Sequence, residues 1–474
     1  LKTEPQDDAK TNGVAAVAAI RRREVSATEL IGHFLTGIKH SNPEFSAVSE
    51  TLEDQALKKA EELDARIEKS KPVGPLAGLP VVVKENCDTK GATCSAGLSF
   101  RREHRPKEDA AITGMLRDAD AIILGISVSD PGAFSTRTPD VVHPLDKRLT
   151  VGGSSGGSAA ALLSGMCMGA IGTDTGGSIR IPSACCGTVG LKPTYGSLPV
   201  TGVFPLVPSL DHVGPMARNV IDVELMWHAL RSRNLPDTRS IAQIGFDPAW
   251  LSEAEPDVQN AMYELFASIE RGGIAVREIR LPELDEIAEV HGTIFIVEAL
   301  NYHMATHGKH RFEYPQIAQD WFEFAEKTTA EDYEAAVAKR AVYTACVNEL
   351  LGEFDFILGP TLLVREIDKD ALKIRIAERD LDFTMGMVRA TSLFDHTGHP
   401  ALAMPLSSNC KGIPPSLQIV GRKHDETRLL KFARQIDENS IWHEDERMMQ
   451  LLGDADDTPE PSTLASSQVV RWRN

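Results

Sequence analysis

Hydrophobic and polar positions along the chain follow two different periods. Residues 52–69, LEDQALKKAEELDARIEK, place apolar side chains at helical spacing among i, i+4 charge pairs, which predicts an amphipathic helix. Upstream, residues 12–40 read as two helices after a polar, disordered-looking start. The second is opened by Ser26 with Glu29 three residues on, the spacing of a capping box. At PLAGLPVVVKEN the character changes: Gly/Pro punctuation precedes a β-branched run, predicting a buried strand that ends at Lys84. AIILGIS (121–127) repeats that signal after a helical segment, 108–118. FDFILGPT (354–361) and PALAMPL (400–406) read as further core strands, and ETRLLKFARQIDE (426–438) as a closing helix. Strands alternating with helices predict an α/β sheet with much parallel pairing.

Residues 150–187, TVGGSSGGSAAALLSGMCMGAIGTDTGGSIRIPSACCG, fit neither period. A serine hydroxyl is a poor nucleophile unless a base takes its proton, and its tetrahedral intermediate needs preorganised N–H donors. Glycines let main-chain amides face a site with no Cβ in the way. DTGGSIR therefore offers Ser178 as a nucleophile behind two glycines, and GGSSGGS offers a second hydroxyl before a small-residue helix, SAAALLSG. Set against this is plain turn or helix-cap chemistry, the usual work of serine among glycines. A phosphate-binding loop would need a lysine that GGSSGGSA lacks. His212 and His396 each follow an aspartate, Asp211 and Asp395, but neighbours in a strand point to opposite faces and no GxSxG elbow is present. Both read as satisfied structural histidines.

Composition narrows the class. The chain has 474 residues, 42% apolar and 25% charged, with net charge −18, which disfavours phosphate backbones and anionic membranes as partners. No run approaches the length of a membrane span, and the polar N-terminus is no signal peptide. Seven cysteines without zinc spacing read as reduced thiols in a cytoplasmic protein.

The block GGSSGGSAAA…GTDTGGSIRIPSACCGTVGLKPTYG resembles the signature region of the amidase signature family of serine hydrolases. PLAGLPVVVKEN before it, SLDHVGPMARNVID (209–222) after it, and the distal TGHPALAMPL and SLQIVGRKHDETRLLKFA are similar to the family too, so the likeness runs from about residue 11 to about 440. It implies an α/β fold with a large mixed, mostly parallel sheet core surrounded by helices. It also implies one amidase-type catalytic unit over 1–474; the layout expected within it is N-terminal helices at about 11–70, a signature core at about 71–230, a helical substrate-covering region at about 255–355, C-terminal core strands and helix at about 354–440, and a polar tail at 453–474.

Carried over residue by residue, the resemblance implies a catalytic triad of Lys84, Ser154 and Ser178, with a cis peptide between Gly153 and Ser154. Ser178 is then the acyl-enzyme nucleophile, Ser154 the proton relay and neutral Lys84 the base; burial at a strand end lowers an amine's pKa. The implied oxyanion donors are the amides of Thr175, Gly176, Gly177 and Ser178. Ser155 either orients the relay or caps the following helix, while Asp174 and Arg180 brace the nucleophile loop. The expected activity is hydrolysis of a small-molecule carboxylic amide to acid and ammonia or amine, with no metal or organic cofactor and no nucleic acid or membrane partner; a homodimer is the oligomer left open. Rival readings are the A subunit of a tRNA-dependent amidotransferase, hydrolysis of carbamate, urea-like or ester bonds, an anion-binding module, or an inactive descendant. The chain departs from the family at 125–143, GISVSDPGAFSTRTPDVVH, which is several residues short, at Glu85-Asn86, where Asp-Asn is common, and over the helical region 255–355, which does not align with it.

Overall fold

The β-branched run Pro80–Lys84 is buried at all five positions, as a strand covered on both faces requires. In the computed structural model, which describes residues 12–231, 239–406 and 411–439, this strand lies inside a sheet of eleven. In chain order the strands are β1 (Val48–Thr51), β2 (Pro80–Lys84), β3 (Ile122–Ser127), β4 (Gly169–Asp174), β5 (Val189–Lys192), β6 (His212–Ala217), β7 (Gln243–Phe246), β8 (Ala275–Glu278) and β9 (Phe356–Pro360). A separate hairpin of β10 (Lys373–Ile376) and β11 (Arg379–Asp382) precedes β12 (Ala401–Pro405) and β13 (Ser416–Val420). Across the sheet the order is β1-β3-β2-β4-β6-β5-β12-β13-β9-β7-β8. Helices surround it, and among the described residues none is long and apolar enough to cross a membrane.

The mixed sheet and its helical cover match expectation; the balance of directions does not. Pairing is parallel on the two flanks, β3-β2-β4 and β9-β7-β8. It is antiparallel from β4 through β6, β5, β12 and β13 to β9, and again at the edge strand β1. Parallel neighbours need a crossover long enough to carry the chain back, which the helices Ala111–Asp118 and Pro256–Arg271 supply on the flanks. In the middle, β4 and β5 do run the same way, but β6 returns between them and is antiparallel to both. Nine strands, β1, β4 to β8, β10, β11 and β13, carry no strand signal legible in the letters. Residues 255–355 are mainly helical as expected, apart from β8. The start before residue 12 and the tail 453–474 lie outside the described residues.

At the N-terminus the two expected helices are Gly13–Arg22 and Ala27–Phe45, and the second does begin with a reciprocal Ser26–Glu29 capping box. The first is anchored from far along the chain. Buried Asp222, on the helix Val220–Leu230, accepts hydrogen bonds from the amides of Gly13 (2.8 Å) and Val14 (3.0 Å). These are donors that a helix start otherwise leaves unmade. Asp222→Ala should therefore cost about 1–3 kcal/mol, read as a lower unfolding midpoint in denaturant, with Asp222→Asn recovering part of the loss. An unchanged midpoint would mean that the helix is held by packing alone.

Candidate active site

Parallel pairing of β2 with β4 brings their C-terminal ends together, with Val83 opposite Ile171. Lys84, the last residue of β2, is wholly buried, and its Nζ donates to Ser154 Oγ at 2.7 Å and to Thr173 Oγ1 at 2.8 Å. Asn86 Nδ2 donates to the same threonine oxygen at 3.1 Å. No carboxylate among the described residues lies within ion-pair distance of the amine. Burial disfavours its charged form and pulls the Lys84 pKa down to about 8, against the pull of Asp130 and Asp174.

Ser154 follows a cis Gly153–Ser154 peptide, as the resemblance implied. Its carbonyl accepts from the Asp130 amide at 3.1 Å, so the short 125–143 loop holds the serine from one side. Of the two roles expected for Ser155, capping the following helix is not taken up. The residue stands before the helix Gly156–Leu163, and its hydroxyl pairs with Thr173 instead, accepting from the amide and donating to the carbonyl, both at 3.2 Å. The Ser155 amide in turn reaches the carbonyl of Ser178 at 3.3 Å. The two serine loops and β4 are thus stitched together through the main chain.

Beyond Asp174 the chain leaves β4 and turns through Thr175, Gly176, Gly177 and Ser178. The amides of Gly176, Gly177 and Ser178 donate no hydrogen bond to any described residue. Both glycines are sterically required. A Cβ on Gly176 would sit 2.7 Å from His291 Nε2, and Gly177, at φ 138°, would drive one to 2.4 Å from Thr391 Oγ1. The Ser178 hydroxyl makes no hydrogen bond among the described residues, so the link between Ser154 and Ser178 is the one contact of the expected triad not formed.

The loop is braced by charge. Arg180, wholly buried, meets Asp174 through Nε (3.0 Å) and Nη2 (2.9 Å), Asp395 through Nη2 (2.6 Å), and Gln418 Oε1 and the Thr391 carbonyl through Nη1 (2.7 and 2.8 Å). Burial alone would raise the Asp174 pKa, but the guanidinium holds it well below the usual carboxylate range. Asp174 Oδ2 also accepts from the amides of Ile179 and Arg180. Thr175 is held separately, its hydroxyl donating to Asp211 Oδ1 at 2.7 Å.

Sequence reasoning missed four participants. Thr173 lies within the block GTDTGGSIR, where nothing in the letters singles it out, and Thr391 stands outside the quoted motifs. Asp211 reads in the sequence only as the neighbour of a structural histidine, and His291 lies in a helix that gives no signal of its role. His212 is satisfied at Nδ1, which faces the carbonyls of Leu210 (2.6 Å) and Asp174 (3.2 Å), but its buried Nε2 has no partner among the described residues. His396 Nε2 lies 3.0 Å from His291 Nδ1, and its Nδ1 likewise has no partner among them. Each is therefore only half satisfied.

Comparison with known proteins gives a consistent result. The Amidase family profile matches residues 29–430. A putative amidase, AmiD, of Mycobacterium tuberculosis is 27% identical over 90% of this chain and 93% of its own length. The A subunit of the glutamyl-tRNA(Gln) amidotransferase of Heliobacterium modesticaldum is 29% identical over 89% of this chain and 95% of its own. Among solved structures, one described as an amidase superposes with a TM-score of 0.85 at 26% identity, over 91% of this chain and all of the other. The peptide amidase PAM, solved with chymostatin, gives 0.76 at 25% identity, over 90% and 97%. The chain belongs to the amidase family, hydrolases of carbon–nitrogen amide bonds.

Proposed function

We propose that the chain hydrolyses a small-molecule carboxylic amide through an acyl-enzyme on Ser178. The observation that carries the reading is the 2.7 Å contact between buried Lys84 and Ser154, on a loop tied to Ser178. In the neutral amine the Nζ lone pair accepts the Ser154 proton as Ser154 takes one from Ser178. The Ser178 Oγ then attacks the amide carbonyl. Its link to Ser154 closes by rotation of the Ser178 side chain as substrate binds, since catalytic hydrogen bonds often tighten only in the complex. The amides of Thr175, Gly176, Gly177 and Ser178 would hold the oxyanion, which fits three of them having no acceptor among the described residues. The leaving nitrogen receives its proton from Ser154, and water deacylates Ser178 through the same relay. The whole chain acts as one catalytic unit, working on a soluble substrate in the cytoplasm.

A second reading has its own support, since relatives at 29% identity are amidotransferase A subunits. Ammonia released from glutamine only alongside partner proteins and aminoacyl-tRNA would favour it; release from simple amides by the lone chain favours a free-standing amidase.

A fluorophosphonate should label Ser178 in the native chain and fail to label Ser178→Ala. Unlabelled native protein would remove the serine from the chemistry. Lys84→Ala, with its fold intact by circular dichroism, should lose about 10²–10⁴-fold in turnover, the usual weight of a general base; retention of most of the rate would exclude Lys84. Acidity gives an independent check. The base must be uncharged and its pKa is near 8, so kcat/KM should climb about tenfold per pH unit below that point and level off above it. With chemistry rate-limiting, a flat acid limb would contradict the neutral amine.

A further inference from the structure

The helix Leu284–His307 carries one polar group into the nucleophile loop that the relay does not use. His291 is 5% exposed, and its Nε2 lies against Gly176. The other ring nitrogen, Nδ1, stands 3.0 Å from Nε2 of His396, which is itself buried on the helix Leu393–Thr397, and the two rings meet edge to face at 82°. Both rings are neutral. Enclosure lowers the His291 pKa to about 4 and takes His396 well below its ordinary value. At His291 the pull of Asp174 toward the charged form outweighs the opposing push of Arg180, and burial outweighs both; at His396 burial, His291 and Arg340 all oppose a positive charge.

A single proton occupies the space between the facing nitrogens, and its owner decides what His291 shows the site. If His291 donates through Nδ1, His396 must carry its own proton on Nδ1, which is wholly enclosed and meets no acceptor among the described residues. If His396 donates through Nε2, that enclosed Nδ1 holds only a lone pair, and His291 is protonated at Nε2. A buried N–H without an acceptor is the rarer and costlier defect. The second arrangement therefore wins. His291 Nε2 has no partner among the described residues and is not fully enclosed, unlike His396 Nδ1.

Resting on the amide-hydrolysis reading, we propose that His291 is a specificity residue: its Nε2–H donates to the acyl part of the substrate and selects amides with a hydrogen-bond acceptor one or two bonds from the scissile carbonyl. The reach follows from position. On that reading the Gly176 amide, which has no acceptor among the described residues, donates to the scissile oxygen, and His291 Nε2 lies beside the same residue. An acceptor much farther along the acyl group would pass it by.

The test uses the full chain labelled with 15N-histidine. Long-range 1H–15N spectra should show His291, identified by its loss in His291→Asn, with a protonated Nε2 and a bare Nδ1. His396→Gln, whose side-chain amide still donates, should keep that tautomer. In Ser178→Ala, which cannot turn over, methoxyacetamide should shift the His291 Nε2 signal and bind about fivefold more tightly than butyramide, which replaces the ether oxygen by a methylene; that ratio is the weight of one neutral hydrogen bond. A proton found on Nδ1, or equal behaviour of the two amides, overturns the proposal. These readouts need no catalysis, so they fail separately from the labelling of Ser178. Normal labelling beside an Nδ1-protonated His291 sinks this inference alone, and absent labelling removes the hydrolase reading whatever the tautomer.

Discussion

The arrangement depends on an amine deprived of a counter-charge. Lys84 is enclosed between β3 and β4, where desolvation penalises the ammonium, and the groups that receive its N–H bonds are hydroxyls. Four carboxyl groups lie close enough to be felt, and each is engaged elsewhere, Asp211 by the Thr175 hydroxyl. Asp174 binds Arg180; Asp130 accepts from the Ser135 amide; Glu85 accepts from Ser129 and Ser95. A carboxylate turned toward Nζ would form a buried ion pair and hold the proton on the amine. The lowered pKa of the proposed base thus reflects the surrounding hydrogen-bond assignments as much as burial.

Arg180 shows the opposite solution to burying charge. Its guanidinium is as deeply enclosed as the Lys84 amine, yet it keeps its proton because two carboxylates, an amide oxygen and a carbonyl surround it. Pairs of this kind are costly to break on one side only, since the remaining charge is left without water or partner. The partners come from the end of β4, from the segment around Thr391 and Asp395, and from β13, so one residue fastens the loop bearing Ser178 to the C-terminal part of the sheet. That rigidity suits the oxyanion role proposed for the main-chain donors of the turn.

The helical region 284–307 then closes on this turn from outside. Gly176 has no side chain because His291 occupies the volume, and Gly177 has none because Thr391 and Ile181 do. The glycines that free the amides also make room for the groups packed over them, which links the conformational demand of the turn to the chemistry above it.

Long, strongly periodic elements were legible in the letters alone. The capping box at Ser26, the amphipathic helix at 53–68 and the apolar run ending at Lys84 are local patterns, set by side-chain spacing and by which residues tolerate burial. The Gly/Ser clusters were equally plain, because few other uses of the chain need so many missing Cβ atoms at fixed spacing. Strand direction was not legible: β6 slips between β4 and β5 although nothing near it in sequence specifies its neighbours. Nor were Thr173 beside Lys84 or Asp211 beneath Thr175, because a lone threonine or aspartate looks the same whether solvated or buried. The His291–His396 pair, 105 residues apart, exists only where two helices meet, and the proton placement proposed for it follows from one enclosed nitrogen having no acceptor among the described residues. Local spacing determined which residues were fit for the chemistry; long-range packing decided their partners and charge states, because hydrogen bonding and desolvation depend on neighbours in space and not along the chain.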